Sequence, residues 1–585
     1  MDLRALEQPP ADEERAAVDA VLGVEDAHAT VPLADAKARR TKLLPALLAV
    51  QARVGWLSPG ALGYACRRLS VPPAEGFGVA SFYALISLEP KPRAFAHVCD
   101  DLACQLAGAR HVDGKDRGAT PCLGLCEQAP AAYVTVAGKN PVEQGFGAAT
   151  TVRVERALRG EVLPVPPPPL PVRDAHEKLV VRIGKYEPTS LEGYRSVGGY
   201  EALTHALTLG PKGVAQALTQ AKLVGRGGAA FPTGRKWEAV ANAKGSPKYV
   251  VCNADESEPG TFKDRVLLEG DPFAVIEAMT IAGFATGATK GFLYVRGEYA
   301  LAAQRLEAAI AAARQAGLLG DDVLGKGFAF DLELRRGGGA YICGEETALF
   351  ASIEGLRGEP RNKPPFPVNH GLFGKPTAIN NVETLVAAVA ILREGVDGWT
   401  RLGTAQSPGT KLFCVSGRVA KPGVYEVPFG TTLEALLERC GGVTGKLHTV
   451  LLGGAAGSFV PADKVKLELS FEAARAAGFT LGSGVVFVLR EGDSLLPLLR
   501  RLAEFFRDES CGQCVPCRVG TVRQEELLAR LLRNAPLGSL DDELKLMKEL
   551  GQAMRDASIC GLGQTASTAI ESAFALFPPS TWSAP

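Results

Sequence analysis

The sequence has no excess of either charge, no long apolar segment and few histidines. Its 585 residues contain 64 lysines and arginines and 64 aspartates and glutamates, so the formal net charge is zero. A neutral chain without a long basic run lacks the electrostatic footprint of a nucleic-acid-binding or lipid-binding protein. No stretch of about 20 apolar residues could span a bilayer, and residues 1–5 lack the apolar core of a signal peptide. We therefore expect a cytoplasmic protein that binds no nucleic acid. It would reach an inner membrane only through partner subunits.

The signatures of several enzyme classes are also missing. No Gly-Lys-Ser/Thr sequence of the Walker type supports phosphoryl transfer. The seven histidines are scattered, without an H-E-x-x-H pair. A Rieske centre needs histidine ligands beside its cysteines, and only His97 lies near one, two residues before Cys99. We expect His97 to be an ordinary, partly buried residue.

Eight of the thirteen cysteines are grouped, which indicates metal rather than disulfides. A chain of this length builds its own core and needs no disulfide in the cytosol. In Cys511-x-x-Cys514-x-x-Cys517, with Cys560 further on, three thiolates on one loop fit three corners of a 4Fe–4S cubane and a distant cysteine completes it. Zinc is the alternative, although structural zinc usually uses two separated cysteine pairs. The isolated cysteines are expected to be buried apolar residues: Cys66, Cys252, Cys343, Cys414 and Cys440.

The hydrophobic patterns predict a multidomain α/β protein, and the length suggests about four domains. Helical spacing gives way to short strands, then to alternating strands and helices, a β-rich part and a helical end. The dense prolines of residues 164–171 fit a semi-rigid linker; a ligand for a proline-binding domain is the alternative. We expect a helical region at 1–90, a small α/β domain at 91–160, the linker at 161–174, a layered α/β domain at 175–405, a β-rich domain at 406–492 and a helical domain at 493–585.

A first glycine-rich loop begins at Gly225. Residues 225–230 match the dinucleotide pattern G-x-G-x-x-[GA], but a helix precedes them where the ordinary Rossmann version has a strand. Backbone amides at closely spaced glycines can approach a phosphate, and Arg226 and Lys236 are near in sequence. A flexible turn is the alternative; the adjacent Phe231 favours a cofactor loop.

Acidic and glycine-rich segments follow. Residues 253–265 come directly after a buried strand, where α/β proteins bind ligands. Their carboxylates could hold ribose or ribityl hydroxyls, coordinate Mg²⁺ or cap the next helix. Residues 337–347 pair a second glycine-rich turn with an aromatic residue and two carboxylates, and adjacent Asn380 and Asn381 can bind the edge of a heterocycle or a phosphate.

Together these segments resemble the FMN- and NADH-binding subunit of respiratory NADH:quinone oxidoreductase (complex I), from about residue 175 to the end. The diaphorase subunits of NAD-reducing hydrogenases and NAD-dependent formate dehydrogenases are similar. The resemblance implies a Rossmann-like FMN/NADH domain, a small β-grasp-like (soluble ligand-binding) domain and a C-terminal helical 4Fe–4S domain. FMN would be surrounded by Gly225, Arg226, Gly227, Gly228, Lys236, Asn253, Asp255, Glu256, Tyr341, Gly344, Glu345, Asn380, Asn381 and Thr384.

The same resemblance implies sites for NADH. Phe231 and Phe366 would stack with its adenine, and Lys363 would lie near the rest of the dinucleotide. The catalytic carboxylates would be Glu258, near the nicotinamide, and Glu346. Two departures are visible: Ala230 stands where the family usually has glycine, and Ala239 where some members have a second aromatic residue.

The N-terminal part resembles the thioredoxin-like 2Fe–2S subunit that accompanies this flavoprotein. Residues 43–83 are similar to its helical start, and Cys99, Cys104, Cys122 and Cys126 would be the cluster ligands. They do not follow plant-type ferredoxin spacing. Only 17 residues separate Cys104 from Cys122, which is short for that family, so a helix or strand of the domain is expected to be trimmed.

The resemblance therefore implies a fusion of the two subunits. Hydride would pass between NADH and FMN, and single electrons would move through the 4Fe–4S cluster, with an auxiliary 2Fe–2S cluster, to an iron–sulfur partner subunit. The larger enzyme would be like complex I, or alternatively a hydrogenase or formate dehydrogenase; the fusion and Cys560-Gly561-Leu562-Gly563 favour the latter two slightly. A cofactor-depleted assembly scaffold and a zinc-stabilised nucleotide-binding protein are the alternatives from other classes.

Overall fold

The computed structural model describes residues 6–23, 33–109, 114–164 and 174–577. Residues 165–173, most of the proline-rich segment predicted to be a linker, lie outside the described residues. Within the described ranges, no helix has the length and apolar character needed to cross a bilayer.

The N-terminal part consists of helices followed by a small mixed sheet. Its elements are α1 (Asp12–Leu22), α2 (Leu33–Arg40), α3 (Leu43–Val54), α4 (Pro59–Leu69), α5 (Pro73–Ala80), β1 (Ala94–Cys99), α6 (Leu102–Leu106), β2 (Arg117–Thr120), β3 (Ala132–Val136), β4 (Val142–Phe146) and α7 (Thr151–Leu158). The strand order is β2-β1-β3-β4. Strand β1 is parallel to β2 and antiparallel to β3, so this sheet places Cys99 at the end of its central pair.

The central part is a parallel sheet covered by helices. Its elements are α8 (Leu191–Ser196), α9 (Glu201–Gln220), α10 (Thr233–Asn242), β5 (Tyr249–Ala254), α11 (Lys263–Gly270), α12 (Pro272–Thr286), β6 (Lys290–Val295), α13 (Ala300–Gln315), β7 (Asp331–Arg336), α14 (Glu346–Ile353), α15 (Pro367–His370), β8 (Thr377–Asn381) and α16 (Val382–Thr400). The order is β7-β6-β5-β8, all parallel. The loops that follow these strands therefore meet at one edge, where α/β sheets bind ligands.

A β-rich domain and a helical domain complete the chain. Their elements are β9 (Thr410–Gly417), β10 (Gly423–Pro428), α17 (Leu433–Arg439), β11 (Leu447–Leu452), β12 (Ser458–Pro461), α18 (Phe471–Ala476), β13 (Val485–Arg490), α19 (Leu495–Asp508), α20 (Val515–Leu532), α21 (Leu540–Ala557), α22 (Gly561–Thr565) and α23 (Thr568–Leu576). The second sheet has the order β10-β9-β13-β11-β12. The predicted multidomain α/β class is confirmed.

The N-terminal helices share a hydrophobic core with the central domain. One cluster of buried residues joins Leu43 and Cys66 of the helices to Phe292 and Ile379 of the parallel sheet. The segment after α5 also pairs with the second glycine-rich loop, because the N–H groups of residues 84 and 85 donate to the carbonyls of residues 339 and 338 at 3.0 and 2.9 Å. The helices thus form a wall behind that loop.

Candidate functional site

The first glycine-rich loop lies against the ends of β8 and α16. The Arg226 N–H donates to the Thr384 hydroxyl at 2.9 Å. A Cβ added at Gly227 would stand 3.2 Å from the Cβ of Asn381, a contact tighter than side chains normally make. Glycine therefore allows this close approach without displacing Asn381, and the approach brings the predicted flavin residues of the loop beside those of β8 and α16.

Helix α10 carries the loop onto the same strand. The Lys236 ammonium donates to the carbonyl of Ile379 at 2.9 Å, and burial lowers its pKa. The ring N–H of Trp237, the next residue, donates to the side-chain oxygen of Asn380 at 2.8 Å. Of the predicted residues, Lys236 and Asn380 are thus fixed on the strand β8 side of the site.

The acidic loop after β5 meets the second glycine-rich loop. The Asn253 side-chain amide donates to the Gly344 carbonyl at 2.8 Å. Asp255 Oδ1 accepts a hydrogen bond from Ser257 at 3.4 Å, whereas its Oδ2 is shielded from solvent and has no hydrogen-bond partner in the described part of the chain. Burial raises the pKa of Asp255 well above its usual range. This buried oxygen without a partner marks a place where a hydrogen-bonding group of a ligand would fit.

The Glu256 side chain has a different role from its neighbour. Its carboxylate accepts the N–H groups of Asp264 and Arg265, both at 2.9 Å, and hydroxyls from Thr261 and Tyr299, both at 3.1 Å. It therefore caps α11, which was the alternative for this segment. Burial and the nearby Asp264 carboxylate raise its pKa to about 7. The side chain has no free oxygen for a ligand.

Glu258 lies where the central domain meets the β-rich domain. Its carboxylate accepts the Ser483 hydroxyl at 2.6 Å and the Ala456 N–H at 3.1 Å. A Cβ at Gly454 would stand only 2.4 Å from the Glu258 carboxyl carbon, so glycine is required there. Burial raises the pKa of Glu258, and the hydrogen bond from Ser483 opposes this.

A lysine and two carboxylates form a group at the start of α14. The Lys363 ammonium lies 2.8 Å from Glu345 Oε1 and 2.6 Å from Glu346 Oε1. Glu345 Oε2 accepts the N–H groups of residues 347 and 348 at 2.8 and 2.9 Å and so caps α14. The hydrogen bonds to both carboxylates outweigh the opposing effect of burial and raise the pKa of Lys363.

Phe231 and Phe366 are exposed despite their size. The relative exposures are 53% for Phe231 and 55% for Phe366. The Lys236 ammonium lies 5.7 Å from the centre of the Phe231 ring, which ties this ring to the glycine-rich loop. Large exposed rings beside a polar site are available for stacking with a flat ligand.

Tyr341 connects the second glycine-rich loop to the helical C-terminal domain. Its N–H donates to Glu509 Oε2 at 2.7 Å, and its ring centre lies 4.9 Å from that of Phe505 on α19. Glu509 stands two residues before Cys511. The contact therefore joins a predicted flavin loop directly to a predicted cluster loop.

The four C-terminal cysteines come together. Cys511 and Cys514 lie on the loop between α19 and α20, Cys517 is in the first turns of α20, and Cys560 immediately precedes α22. Burial raises the pKa of the Cys517 thiol to about 12, and the thiols of the other three cysteines also raise it. The Ser510 hydroxyl lies 3.3 Å from the Cys517 sulfur.

The four N-terminal cysteines are buried together as well. The sulfurs of Cys122 and Cys126 are 3.3 Å apart. The pKa of Cys126 is raised by its hydrogen bond with Cys122, by burial, and by the thiols of Cys104 and Cys99. Across the described ranges, no three or more His, Cys, Asp or Glu side chains are grouped so as to hold a single metal ion.

Comparison with known proteins identifies the family. The chain is 43% identical over 397 residues to "NADP-reducing hydrogenase subunit HndC" of Solidesulfovibrio fructosivorans, which covers 66% of this chain and 80% of the relative. It is also 43% identical over 391 residues to an NADH-quinone oxidoreductase subunit of Rhizobium meliloti (strain 1021), over 66% of this chain and 92% of the relative. This chain belongs to the family of FMN-binding NADH-quinone oxidoreductase subunits.

Family models extend this assignment along the chain. Residues 218–390 match the Nuo51 FMN-binding domain, 412–455 the SLBB domain and 497–582 the NADH-ubiquinone oxidoreductase-F iron-sulfur binding region. Residues 29–115 match the thioredoxin-like [2Fe-2S] ferredoxin; this match includes Cys99 and Cys104 and ends before Cys122. The predicted resemblance and the four cofactors are confirmed at the level of these domains. The assignment of single residues and the domain boundaries stay predictions.

A solved structure covers nearly the whole chain. The "Crystal structure of NAD+-reducing [NiFe]-hydrogenase in the H2-reduced state" contains a chain 32% identical to this one, with a TM-score of 0.77 over 93% of this chain and 92% of that one. The fold of nearly the whole chain therefore also occurs in another protein.

The Arg226 side chain does not join the other predicted flavin residues. Its guanidinium lies 4.5 Å from the Phe429 ring centre, and its Nε and Nη1 have no hydrogen-bond partner in the described residues. Burial lowers its pKa to about 10. Of Arg226, only the backbone N–H contacts another predicted flavin residue, Thr384.

Glu509 was not predicted as a site residue. Its position two residues before the first cysteine of the C-terminal motif could have indicated it.

Proposed function

We propose that the chain is the NADH dehydrogenase (diaphorase) electron-input module of a larger complex. When bound, FMN exchanges a hydride with NADH and passes electrons singly to the iron–sulfur clusters. The chain's own residues bind and orient these groups and exclude water around them. Electrons would leave to an iron–sulfur partner subunit.

The hydrogen bond from Tyr341 to Glu509 carries this proposal. It joins the second glycine-rich loop to the cluster loop at 2.7 Å, so the predicted flavin site and the 4Fe–4S ligands share one connected structure. A nucleotide-binding protein with a separate structural metal has no need of this connection. The contact supports electron transfer between the two sites.

The site fits FMN in two ways. Asp255 Oδ2 has no hydrogen-bond partner in the described residues, and the hydroxyls of a ribityl chain, which both donate and accept, would supply one. The glycine at position 227 lets backbone approach Asn381 more closely than a side chain would allow. We assign the binding of FMN to this loop, Lys236, Asn253, Asp255, Tyr341 and the residues at the end of β8.

The site fits NADH as well. Phe231 and Phe366 are exposed for stacking on adenine. Lys363, held by Glu345 and Glu346, is placed to bind a phosphate or ribose. Glu258 is oriented by Ser483 and would lie beside the nicotinamide. Hydride transfer needs no protein acid or base, so these carboxylates would act by orientation and charge.

The two cysteine groups fit the two clusters. Four buried thiols and the N–H groups that face them suit a thiolate-bound 2Fe–2S centre at Cys99, Cys104, Cys122 and Cys126. The half-buried Cys511, Cys514 and Cys560 with buried Cys517 suit a 4Fe–4S centre near the surface, from which electrons can leave. Neighbouring thiols disfavour one another's deprotonation, and bound iron would remove this effect.

A hydrogenase-type complex is the second candidate. The NADH-quinone oxidoreductase subunit of Rhizobium meliloti and the hydrogenase subunit of Solidesulfovibrio fructosivorans each match 66% of this chain, whereas the chain of the NAD+-reducing [NiFe]-hydrogenase covers 93% of it. The fused arrangement thus supports a diaphorase subunit of this kind over a complex I subunit. Pull-down of the native complex followed by identification of nickel or quinone activity would distinguish the two.

The proposed electron-input role is tested by anaerobic purification of the full chain. Iron, zinc and flavin are measured, and NADH is added while visible spectra and low-temperature EPR are recorded. We expect stoichiometric flavin, iron without zinc, flavin bleaching and reduced-cluster signals. If the flavin is not bleached and neither cluster signal appears, the result would support the cofactor-depleted scaffold. If zinc is found in place of iron, the result would support the zinc-stabilised nucleotide-binding protein.

A pair of cysteine variants sharpens the test. Cys514→Ser should spare NADH-dependent flavin bleaching but abolish electron exit to one-electron acceptors. Cys440→Ser is the control, because Cys440 is fully buried in the β-rich domain and should leave electron exit intact. Equal loss in both variants would contradict the proposed exit route.

A further inference from the structure

We infer that Arg296 is a positioning residue that joins the 2Fe–2S loop to the acidic flavin loop and raises the reduction potential of the 2Fe–2S cluster. The inference rests on the proposed function, because it requires that both groups bind. It concerns a residue on neither the flavin loops nor the cysteine motifs.

The Arg296 guanidinium bridges two backbone carbonyls from different domains. It follows β6 and is 3% exposed. Its Nη1 donates to the Glu256 carbonyl at 2.7 Å and its Nη2 to the Cys122 carbonyl at 2.9 Å. Because the guanidinium is rigid and planar, one group fixes the distance between the two loops.

The charge of this bridge lies close to a predicted cluster ligand. Glu298 Oε2 accepts from Arg296 Nε at 3.1 Å and neutralises part of the charge. A buried cation beside an iron–sulfur cluster favours the reduced, more negative form, since charge and hydrogen bonds around the ligands set the potential. Removal of Arg296 would leave the Glu298 carboxylate without this cation, and the negative charge left in this part of the molecule favours the oxidised form.

Other contacts of the central domain converge on the same loop. The backbone N–H of Gly260 points to the Cys122 sulfur, as does that of Gly124. Arg265 Nε donates to the Gly124 carbonyl at 2.8 Å, and Arg265 also pairs with Glu127. Unlike Arg296, Arg265 is paired with a second carboxylate, Glu269 at 3.0 Å. Among the described residues, Arg296 therefore has one carboxylate within ion-pair distance and Arg265 has two.

The bridge stands where the three predicted redox sites meet. A cavity of about 170 Å³ is lined by Arg296 together with Pro121, Ser257, Tyr341 and Glu509. These residues come from the 2Fe–2S loop, the acidic loop, the second glycine-rich loop and the 4Fe–4S loop. A substitution of Arg296 therefore removes direct contacts to the 2Fe–2S loop and the acidic loop. The second glycine-rich loop and the 4Fe–4S loop share only the cavity with Arg296.

The test is an EPR redox titration of the full chain carrying Arg296→Gln. We expect the 2Fe–2S midpoint to become more negative, so that about tenfold less cluster is reduced at a fixed potential; for a one-electron couple this equals about 59 mV. The 4Fe–4S midpoint should stay at its wild-type value. Adding Glu298→Gln should reverse most of the shift, because it removes the uncompensated carboxylate.

Arg336→Gln is the matched control. Arg336 also joins the central domain to the small α/β domain, through Glu143 at 2.7 Å, but its hydrogen bonds go to no residue of the cluster loop. An Arg296→Gln midpoint equal to that of Arg336→Gln would overturn the inference. Absence of a 2Fe–2S signal from the wild-type chain would instead contradict the proposed function.

If Arg296→Gln loses its 2Fe–2S cluster, its midpoint cannot be measured, and amide hydrogen exchange tests the bridging role instead. Arg296→Gln should speed amide exchange in two peptides at once, one containing residues 121–127 and one containing residues 255–260. Arg336→Gln should leave the exchange of both peptides unchanged. Protection retained in both peptides of Arg296→Gln would overturn the bridging role. Arg296→Lys, which keeps the charge but not the fork, should keep the midpoint and still lose protection.

Discussion

Replacing Gly124 by alanine should detach the 2Fe–2S loop from the central domain. Gly124 lies between Cys122 and Cys126 and has φ +65°. A Cβ there would stand 2.1 Å from the Tyr299 hydroxyl oxygen and 2.9 Å from the carbon that bears it. Tyr299 is 3% exposed and its hydroxyl is bonded to Glu256, so it has little room to move.

The magnitude follows from two separate costs. An alanine at positive φ costs about 1 kcal/mol, and overpacking of a tight contact adds about 1–3 kcal/mol. Gly108 supplies the control, since its φ is +79° and a Cβ there meets nothing within 4 Å. Gly108→Ala should therefore lose only the free energy that positive φ costs an alanine. The free energies of unfolding of the two variants should differ by about 1–3 kcal/mol.

Thermal unfolding followed by cluster absorbance and far-UV circular dichroism measures this difference. At about 2–4 °C per kcal/mol, Gly124→Ala should lose its N-terminal cluster several degrees below Gly108→Ala. Adding Tyr299→Phe should recover part of the loss, because the nearest atom is removed. Equal transitions in the two alanine variants would refute the tight docking of this loop.

Three further outcomes are expected. Lys363→Gln should raise KM for NADH by about tenfold with little change in bound flavin, because it removes the cation that Glu345 and Glu346 hold in place for a phosphate or ribose of NADH; steady-state kinetics with a flavin count checks this, and an unchanged KM would contradict it. Phe366→Ala should raise KM for NADH without lowering the unfolding temperature, since the ring is 55% exposed; a loss of stability would instead show a packing role. Ala230→Gly should raise the free energy of unfolding by about 1 kcal/mol, because Ala230 has φ +50°; denaturant unfolding measures it.

The sequence predicted much of the fold because regular patterns carry local information. The alanine-rich sequence at residues 300–315 is typical of a helix, and α13 spans these residues, followed by Gly317 at φ +66°. The apolar runs at 249–252 and 291–295 are typical of buried strands, and they lie in β5 and β6. The shared core of the N-terminal helices and the parallel sheet could not be predicted, because it joins residues hundreds of positions apart.

Candidate site residues can be predicted from the sequence where a short motif indicates the group that they bind. Cysteine spacing indicated two groups, and the thiols within each group affect one another's pKa, although no three side chains in the described ranges are grouped so as to hold a single metal ion. Side-chain direction was not predictable: Arg226 packs on Phe429 of another domain, and Glu256 caps a helix rather than facing the site. Neither the Glu509 contact nor the Arg296 bridge follows from spacing, since each depends on how separate domains dock.

The packing of the N-terminal helices behind the second glycine-rich loop affects the order in which the chain can fold during translation. Residues 84 and 85 leave the ribosome about 250 residues before their partners at 338 and 339. At roughly 5–20 residues per second, the apolar face of these helices waits on the order of ten to fifty seconds for the sheet that covers it. The residues of the first helices that pack on the sheet therefore stay uncovered for that time, whereas a separately encoded subunit would meet a partner that is already complete.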